Sequence, residues 1–487
     1  MIGLALFALV WIVVRATSQS VVIDEADSYM MFAAVSWSVG ALCPSSANHV
    51  LHTLLVRLVT DVFGLSELTL RTPALAGGLI YICASVWLCG LLTKRIFLQA
   101  LLFTCLVFNP LVLDFLVAAR GYSLAMGFLM AAFCMIAEAM LANHAIQVRP
   151  IQLRGILASV FVGLSFCANF SFAFVDAIAM VVFFLWAASR LQGNRRMLAC
   201  ACFIPGLLVA STICGWTVAH WGKGELTYGA RSLAETWTSL VWASFYGANL
   251  AIIRRFPILA WIATKHVLAL LPLVAAAVLL ADTLLKRLRN GLDESQQRRL
   301  ALAGVLLAIA VLTLAAHMAA FLAIGLPLPK SRTALYFVPL TVLILGALIS
   351  VRRSVFGWMG TAALMLNAAY FVGCLRLGYF QEWQYNADTK QIYAVVSESA
   401  RRCGPGDILT EWRYVGALNF YRRRYGSKLL QEFRAAPFET SAYSTNKDVY
   451  VVYEPDAREF IRQQNLKTVY FNRLTDAAIA VRSCGSR

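Results

Sequence analysis

Charged residues are scarce in this sequence. They make up 14% of its 487 residues, whereas hydrophobic residues make up 60%. Soluble globular chains carry about 25% charged residues, so this composition excludes an ordinary soluble protein. The scarcity is concentrated in residues 1–375, where apolar runs of roughly 20 residues, long enough to cross a bilayer, follow one another. We therefore predict a mainly α fold, a polytopic transmembrane helical bundle.

Zinc-binding motifs are also missing. The sequence has no CxxC pair, no Cys/His set with zinc spacing and no HExxH motif, which argues against a zinc hydrolase. Most of the 12 cysteines lie in apolar runs, where a thiol packs as a small apolar side chain. Cys403 and Cys484 lie instead in a polar tail, and they could pair if that tail is outside the cytoplasm.

The apolar runs predict about eleven spans, and the first shows no cleavage pattern, so we interpret it as retained. Their approximate ranges are 2–20, 72–92, 96–114, 119–141, two within 156–189, 197–216, 257–282, 300–325, 333–350 and 354–375. Every second loop is basic, which places those loops in the cytoplasm and accounts for much of the net charge of +17 without nucleic acid. The N-terminus is then cytoplasmic, and the outer face carries loops 21–71, 217–256 and 326–332 and the tail 376–487.

The tail has ordinary charge and a different pattern. Short apolar runs at Val449–Tyr453, Thr468–Phe471 and Ala477–Val481 predict strands, and segments 388–402, 413–424 and 455–464 predict helices. A small extracytoplasmic α/β domain is the simplest interpretation. We therefore divide the chain into a transmembrane domain, residues 1–375, and a C-terminal domain, residues 376–487.

Acidic residues follow the first span directly, in the outer loop 21–71. Carboxylates this close to hydrocarbon are costly and suggest a function. Asp24 could act as a general base that deprotonates an acceptor hydroxyl, and Glu25 could orient the acceptor or help to hold a divalent cation. Alternatively, Asp24 is only a helix N-cap, with Asp27 three residues further on as in a capping box.

Two histidines follow in the same loop. His49 and His52 are one helical turn apart, so both could face one site, where they could bind a phosphate, a metal or a sugar hydroxyl. A speculative metal site would use Glu25 and His49. The alternative is that both histidines are ordinary interfacial residues.

Cations lie near the predicted outer ends of later spans. Arg120, at the start of the fourth span, needs an anionic partner, which could be a lipid phosphate or an acid of the first loop. A salt bridge to Asp114 or a snorkelling side chain is the alternative. Lys330 and Arg332 follow prolines and could clamp a phosphate or pyrophosphate leaving group. Attraction to anionic lipid headgroups would also explain them.

Taken in order, these motifs resemble the GT-C class of membrane glycosyltransferases. The resemblance is to the branch of the protein O-mannosyltransferases and the lipid A aminoarabinose transferases, and it covers the first four spans. The motifs are the pair Asp24-Glu25, the element His49-Val50-Leu51-His52, the segment Leu70-Arg71-Thr72-Pro73-Ala74 and the run Ala119-Arg120-Gly121-Tyr122-Ser123-Leu124. The chain departs from the branch because no Pro-Pro follows His49.

The resemblance implies a polyprenyl-phosphate-linked sugar donor, bound from the outer leaflet of a bacterial inner membrane. It implies inversion at the anomeric carbon by direct displacement, with Asp24 as the base. Basic residues, here Arg120, Lys330 and Arg332, would hold the lipid phosphate, sometimes with a divalent metal ion. Arg71 and Tyr122, which belong to matched motifs, are further candidates for substrate binding, and the tail would engage a lipid, glycan or protein acceptor.

Three other functions remain open at this point. A transporter or flippase for lipid-linked sugars would place paired ionisable residues within spans, and Glu138, Asp176, Asp282 and His317 form no such series. A glycan polymerase or ligase with a lipid-pyrophosphate donor usually has large outer loops rich in arginine and histidine. A receptor or scaffold would use the tail as a binding module. The pattern of residues does not identify the sugar or its acceptor.

Overall fold

The structure is a computed structural model that describes residues 1–40, 42–142, 148–190, 195–222, 224–245, 266–351, 354–403 and 407–482. The helices are α1 Ile2–Ser18, α2 Ile23–Ser28, α3 Trp37–Gly40, α4 Val50–Phe63, α5 Glu67–Leu92, α6 Ile96–Val107, α7 Pro110–Phe115, α8 Tyr122–Leu141, α9 Val148–Ala168, α10 Ala173–Arg190, α11 Arg195–Ala219, α12 Leu233–Phe245, α13 Val267–Asn290, α14 Glu294–Ile324, α15 Phe337–Val351, α16 Val355–Gly373, α17 Thr389–Cys403, α18 Trp412–Arg424 and α19 Glu454–Gln463. The strands are β1 Ile408–Thr410, β2 Val449–Tyr453, β3 Lys467–Asn472 and β4 Ala477–Val481.

Within these ranges, nine helical segments are long and apolar enough to cross a membrane. They comprise α5, α8, α9, α10, α11, α13, α14, α15 with the short turn before it, and α16. The prediction of a mainly α, polytopic bundle is confirmed. The two spans predicted within 156–189 correspond to α9 and α10, which meet near Asn169. Together they are longer than predicted, because α9 begins at Val148.

The first and third predicted spans differ from the rest. The first is α1, with 17 residues, and the chain bends by 80° between it and the segment Ile23–Ala33. The third is the 12-residue helix α6, which ends before Asn109-Pro110. Asn109 caps α7 by accepting hydrogen bonds from the backbone N–H groups of Leu111 and Val112, and Pro110 starts a new helix more readily than it continues an old one. The predicted third span is therefore two short helices.

Glycine lets the central helices pack closely. A Cβ added at Gly77 of α5 would collide with the backbone of Leu124 in α8, and one at Gly163 of α9 would lie 2.6 Å from the carbonyl oxygen of Gly206 in α11. Small residues allow helix backbones to approach one another in this way in membrane bundles. The first turn of α8, which begins two residues after Arg120, is thus held firmly against α5.

The tail forms the small α/β unit that the sequence predicts. Its sheet has the order β1-β2-β4-β3, in which β1 pairs with β2 in parallel and the other pairs are antiparallel. The three predicted strands and three predicted helices are present, and β1 is an additional strand. Cys484, Arg352, Arg353 and residues 257–265 of the predicted eighth span lie outside the described residues, so the pairing of Cys403 with Cys484 remains a prediction.

The tail packs directly on the first loop. Tyr421 of α18 accepts a hydrogen bond from the backbone N–H of Val21 at 3.0 Å, and Asn386 accepts one from that of Ile23 at 2.9 Å. Residues 326–332 reach the same end of the bundle, where Leu328 forms a short antiparallel bridge with Ala230. The segments that the charge pattern places on one face therefore come together in the fold.

Candidate functional site

The first loop turns sharply into α2, and this turn positions its acids. Val22 is the N-cap of α2, and its backbone N–H donates a hydrogen bond to Glu25 Oε2 at 3.1 Å. Asp24 is therefore not the N-cap of this helix, in contrast to the alternative interpretation of the sequence. It lies in the first turn of α2 with a quarter of its side chain exposed.

Asp24 contacts a cation from a distant part of the chain. Arg332 Nη1 donates to Asp24 Oδ2 at 2.9 Å and to Glu382 Oε1 at 2.6 Å. The guanidinium lies over the ring of Tyr228, with its central carbon 4.7 Å from the ring centroid. Carboxylates from the first loop and from the start of the tail thus share one arginine.

Arg120 approaches the same loop from the start of α8. Its Nη1 donates to the backbone carbonyl of Asp24 at 3.2 Å and to Ser28 Oγ at 2.5 Å. The alternative partner, Asp114, pairs instead with Arg15 and Arg376, each at 2.7 Å. One hypothesis paired Arg120 with an acid of the first loop. Arg120 does contact that loop, through a backbone carbonyl and a hydroxyl group.

Glu25 and Arg71 form a separate, fully buried pair. Arg71 donates to both carboxylate oxygens of Glu25, at 2.9 and 2.6 Å, and neither side chain is exposed. Arg71 also donates to the backbone carbonyls of Ala16, Gln19 and Ser20, while the backbone N–H of Ala119 donates to Glu25. The pair ties α1, α2 and α5 to the residue before Arg120.

Of the two histidines, His49 lines the cavity described below and His52 does not. His49 is the N-cap of α4, with non-helical dihedral angles, so the spacing of one regular turn does not apply to the pair. His49 lines a cavity, whereas His52 is buried away from it. Burial, and then the charge of Arg120, holds the pKa of His49 well below its usual value and lowers that of His52 to about 3. Both imidazoles are therefore neutral at physiological pH.

The predicted metal ligands Glu25 and His49 have different surroundings, and the metal site remains a prediction. Both carboxylate oxygens of Glu25 are occupied by the contacts of Arg71, Val22 and Ala119, and His49 faces the cavity instead. Among the described residues, no group of three His, Cys, Asp or Glu side chains could hold a metal ion.

Lys330 and Arg332 are not brought together as a clamp. Lys330 Nζ pairs with Glu235 of α12 at 2.7 Å, on a half-exposed surface. Ser331 between them has a positive φ of 48°, which turns the chain sharply. Arg332 alone reaches Asp24 and lines the cavity.

The cavity lies at the end of the bundle where the first loop, α8, α14 and the segment 326–333 meet. It encloses about 1600 Å³, including its open mouth. Its lining includes His49, Arg120, Tyr122, Asn169, His317 and Arg332. Asp24 and Glu382 do not line the cavity themselves but contact Arg332, which does. The ring of Tyr122 is 5.6 Å from that of His49.

Glu382 is a site residue that the sequence did not reveal. It is an isolated acid between Phe380 and Trp383. No sequence pattern relates it to Arg332 or Asp24, which lie 50 and 358 positions away in the chain. Burial raises its pKa, the charge of Arg332 lowers it and that of Asp24 raises it further, with a net upward shift. Asp27, on the next turn of α2, has a pKa raised to about 6 by burial and by Asp24. The surroundings of Asp24 are thus rich in carboxylates that resist ionisation.

Several solved structures of other proteins are similar to this chain. Similar solved structures include ArnT from Cupriavidus metallidurans bound to undecaprenyl phosphate, with 15% identity, coverage of 100% of this chain and 99% of that chain, and a TM-score of 0.44. They also include the oligosaccharyltransferase AglB from Archaeoglobus fulgidus in complex with an inhibitory peptide and a dolichol-phosphate, with 12% identity, coverage of 96% and 69%, and a TM-score of 0.46. A scan against family models and a search of curated proteins found no match.

Proposed function

We propose that this chain is an integral membrane glycosyltransferase that moves a sugar from a polyprenyl-phosphate carrier to a lipid, glycan or protein acceptor on the outer face. The observation that carries the proposal is the 2.9 Å contact between Asp24 and Arg332, with Arg120 bound to the same loop. A carboxylate that can accept a proton and two cations that can hold a phosphate therefore adjoin one cavity. These are the groups that displacement of a phosphate from a sugar requires.

In the proposed reaction, the donor phosphate binds Arg332 and Arg120 and competes with Asp24 for the Arg332 guanidinium. Asp24, released from this ion pair, accepts the proton of the acceptor hydroxyl. The acceptor oxygen attacks the anomeric carbon from the face opposite the phosphate, and the bond between that carbon and the phosphate oxygen breaks. Both electrons of this bond leave with polyprenyl phosphate, whose charge the arginines stabilise. The anomeric configuration is inverted.

The membrane explains why these groups lie at the end of the bundle. A phosphate is too costly to enter hydrocarbon, whereas a prenyl chain is too apolar to leave it. Donor chemistry is therefore confined to the headgroup level, where the first loop and the starts of α8 and α15 meet. The buried pair of Glu25 and Arg71 acts as a positioning element, because it fixes α2 and the residue before Arg120.

Asp24→Asn is the decisive variant. We expect the loss of about 100- to 10,000-fold of transfer activity, the usual contribution of a general base, with unchanged abundance in the membrane. Mass spectrometry of lipid-linked glycans and envelope polymers, in cells with and without the wild-type chain, would identify the sugar and its acceptor. The same measurement would then compare the variant with the wild-type chain.

A matched control is Asp61→Asn. Asp61 is an exposed acid of the same loop, paired with Arg57 at 3.4 Å within α4, and we expect wild-type transfer from this variant. Normal glycans in the Asp24→Asn strain would refute the proposal and favour a transporter or a scaffold, since neither needs a base at this position.

A further inference from the structure

Two carboxylates share a single nitrogen of Arg332. Its Nη1 donates to Asp24 Oδ2 at 2.9 Å and to Glu382 Oε1 at 2.6 Å. Asp24 belongs to α2, and Glu382 belongs to the start of the tail. Asn386 fixes these segments to each other by accepting a hydrogen bond from the backbone N–H of Ile23 at 2.9 Å. Two ionised acids beside one guanidinium group leave this cluster with a net negative charge.

Donor binding adds a further negative charge to this cluster. The phosphodiester that joins a sugar to a polyprenyl carrier is an anion, and it needs the N–H groups of Arg332 that the acids now occupy. Arg120 compensates only part of this charge, because its Nη1 also donates to the carbonyl of Asp24 and to Ser28 Oγ. Like charges held at one guanidinium group repel one another, and protonation of one acid removes the repulsion. We therefore expect donor binding to be coupled to the uptake of a proton.

Glu382 is the acid better suited to take up this proton. Its Oε1 accepts from Arg332, whereas its Oε2 is buried and has no hydrogen-bond partner in the described part of the chain. Once a phosphate occupies Arg332, an ionised Glu382 would lose the pairing of its Oε1 as well, and an unpaired carboxylate is far costlier to bury than a neutral carboxyl group. Burial also raises the pKa of Glu382 in the free protein. Its side chain is still 29% exposed, so water can deliver the proton.

Asp24, by contrast, must keep its charge. It can accept the proton of an acceptor hydroxyl only as a carboxylate, so a proton taken up by Asp24 on donor binding would stop the proposed reaction. Neighbouring acids resist simultaneous ionisation, and a proton on Glu382 therefore favours the ionised form of Asp24. The tail would then supply the acid that is neutralised, and the first loop would supply the base.

Other ionisable groups face Glu382 from α2, α7, the start of α8 and the loops around the cavity. They are Asp24, Asp114, Arg120, Tyr122, Tyr228, Arg332 and Tyr385. Asp114 is paired with Arg15 and Arg376, each at 2.7 Å. Burial raises the pKa of Tyr228 to about 12 and raises that of Tyr385 as well. The tyrosines and arginines therefore keep their charge state between about pH 5 and about pH 8, and the carboxyl groups carry the pH dependence.

We propose that Glu382 takes up a proton from the solvent when the donor phosphate binds Arg332, and that the neutral carboxyl group then donates a hydrogen bond from Oε1 to a phosphate oxygen. When polyprenyl phosphate leaves, Glu382 returns the proton to the solvent and pairs with Arg332 again. The acid that competes with the phosphate in the free protein thus becomes one of its ligands. The inference rests on the proposed function, because the donor phosphate must reach Arg332.

The test measures proton uptake when the methyl diester of a short polyprenyl phosphate binds the full-length protein in nanodiscs. A diester keeps one negative charge throughout, whereas a monoester would itself titrate at about pH 6. Calorimetry in two buffers that differ in their heat of ionisation, from about pH 5 to about pH 8, gives the number of protons taken up. We expect uptake of up to about one proton, and an affinity that rises about three- to tenfold as the pH falls from about 7.5 to about 6.

Three variants locate the proton. Glu382→Gln should take up no proton, and at about pH 7.5 it should bind the diester as tightly as the wild-type chain does at low pH. Glu235→Gln is the matched control, because Glu235 pairs with the neighbouring cation Lys330 at 2.7 Å, and it should keep the wild-type uptake. Asp27→Asn removes another carboxyl group that titrates in this range, with a pKa of about 6, and should also keep the uptake.

The outcomes separate this inference from the proposed function. If the diester fails to bind, or if Arg332→Gln does not weaken its binding, the proposed function is wrong. If the diester binds through Arg332 but the wild-type chain takes up no proton at any pH in the range, the inference alone is wrong, and this result needs no variant. The inference is also wrong if Glu382→Gln keeps the uptake, or if Asp27→Asn abolishes it.

Discussion

Asp24 and Glu25 are neighbours in the sequence, yet they belong to two different regions of the structure. Glu25 faces the bundle, where Arg71 and two backbone N–H groups satisfy its carboxylate completely. Asp24 faces Arg332 beside a cavity, in a cluster that exposes 25% of its side chain. Both acids pair with a guanidinium group. The pair of Glu25 and Arg71 holds the bundle rigid, whereas the pair of Asp24 and Arg332 can exchange partners. Burial and the number of fixed donors make the difference.

The largest effect should come from breaking the buried pair. We expect Arg71→Leu to lower the free energy of unfolding by about 3–5 kcal/mol, because it leaves the Glu25 carboxylate buried without its counter-ion. Thermal or denaturant unfolding in detergent measures this loss. Arg332→Leu is the matched variant in the cavity and should cost less stability, since Asp24 and Glu382 can be reached by water.

The double variant Glu25→Leu/Arg71→Leu sharpens the same comparison. Removing both charges should restore part of the stability lost in Arg71→Leu, because no unpaired charge remains. A double variant that is as unstable as the sum of the two single variants would contradict the view that these side chains act as a pair.

The next effect concerns Glu382, which competes for Arg332. We expect Glu382→Gln to tighten binding of a short polyprenyl phosphate about five- to tenfold, since one charge-assisted hydrogen bond to Arg332 is weakened. Equilibrium binding in nanodiscs measures the change. Weaker binding would mean that Glu382 holds Arg332 in place for the phosphate, and the role of the tail would be positioning.

A smaller effect should be a change of folding stability with pH that is caused by the carboxyl group of Asp27. Its pKa of about 6 in the folded protein lies above the value of 3.8 expected for an unfolded aspartate, so the folded state holds the proton more tightly between these values. Stability should therefore fall as the pH rises from about 4 to above 6, by about 1–2 kcal/mol once partial exposure is taken into account. Unfolding temperatures at pH 5 and pH 7.5 measure this slope.

Asp27→Asn tests the assignment of that slope. The variant should be more stable than the wild-type chain at pH 7.5 and should lose this part of the pH dependence. Its amide must fit where Asp27 Oδ1 lies close to the backbone of Gly416. Glu439→Gln, which changes an exposed acid of the tail, should leave the slope unchanged.

The fold could be predicted from the sequence more completely than the site, because the fold depends on patterns among neighbouring residues. Runs of apolar residues and the alternation of basic loops depend on neighbours along the chain, so the bundle and the strands of the tail could be predicted. Partner choice depends on distant residues. Asp24 meets Arg332, which the sequence analysis assigned only to a phosphate, and Arg71, grouped with the substrate-binding residues, pairs with Glu25 in the core. Glu382 had no local pattern at all, because its role arises only where the tail packs on the first loop.

The smallest effect is expected at Lys330, two residues before Arg332. Lys330 and Glu235 form a half-exposed ion pair, and such pairs contribute little to stability because water and salt screen the two charges. We therefore expect Lys330→Gln to leave the unfolding temperature nearly unchanged and transfer within about twofold of wild type, whereas we expect Arg332→Gln to abolish phosphate binding. Assays of both variants in one membrane preparation make the comparison direct. A loss of activity in Lys330→Gln equal to that in Arg332→Gln would mean that Lys330 leaves Glu235 when the donor binds, and that the two cations act as a clamp after all.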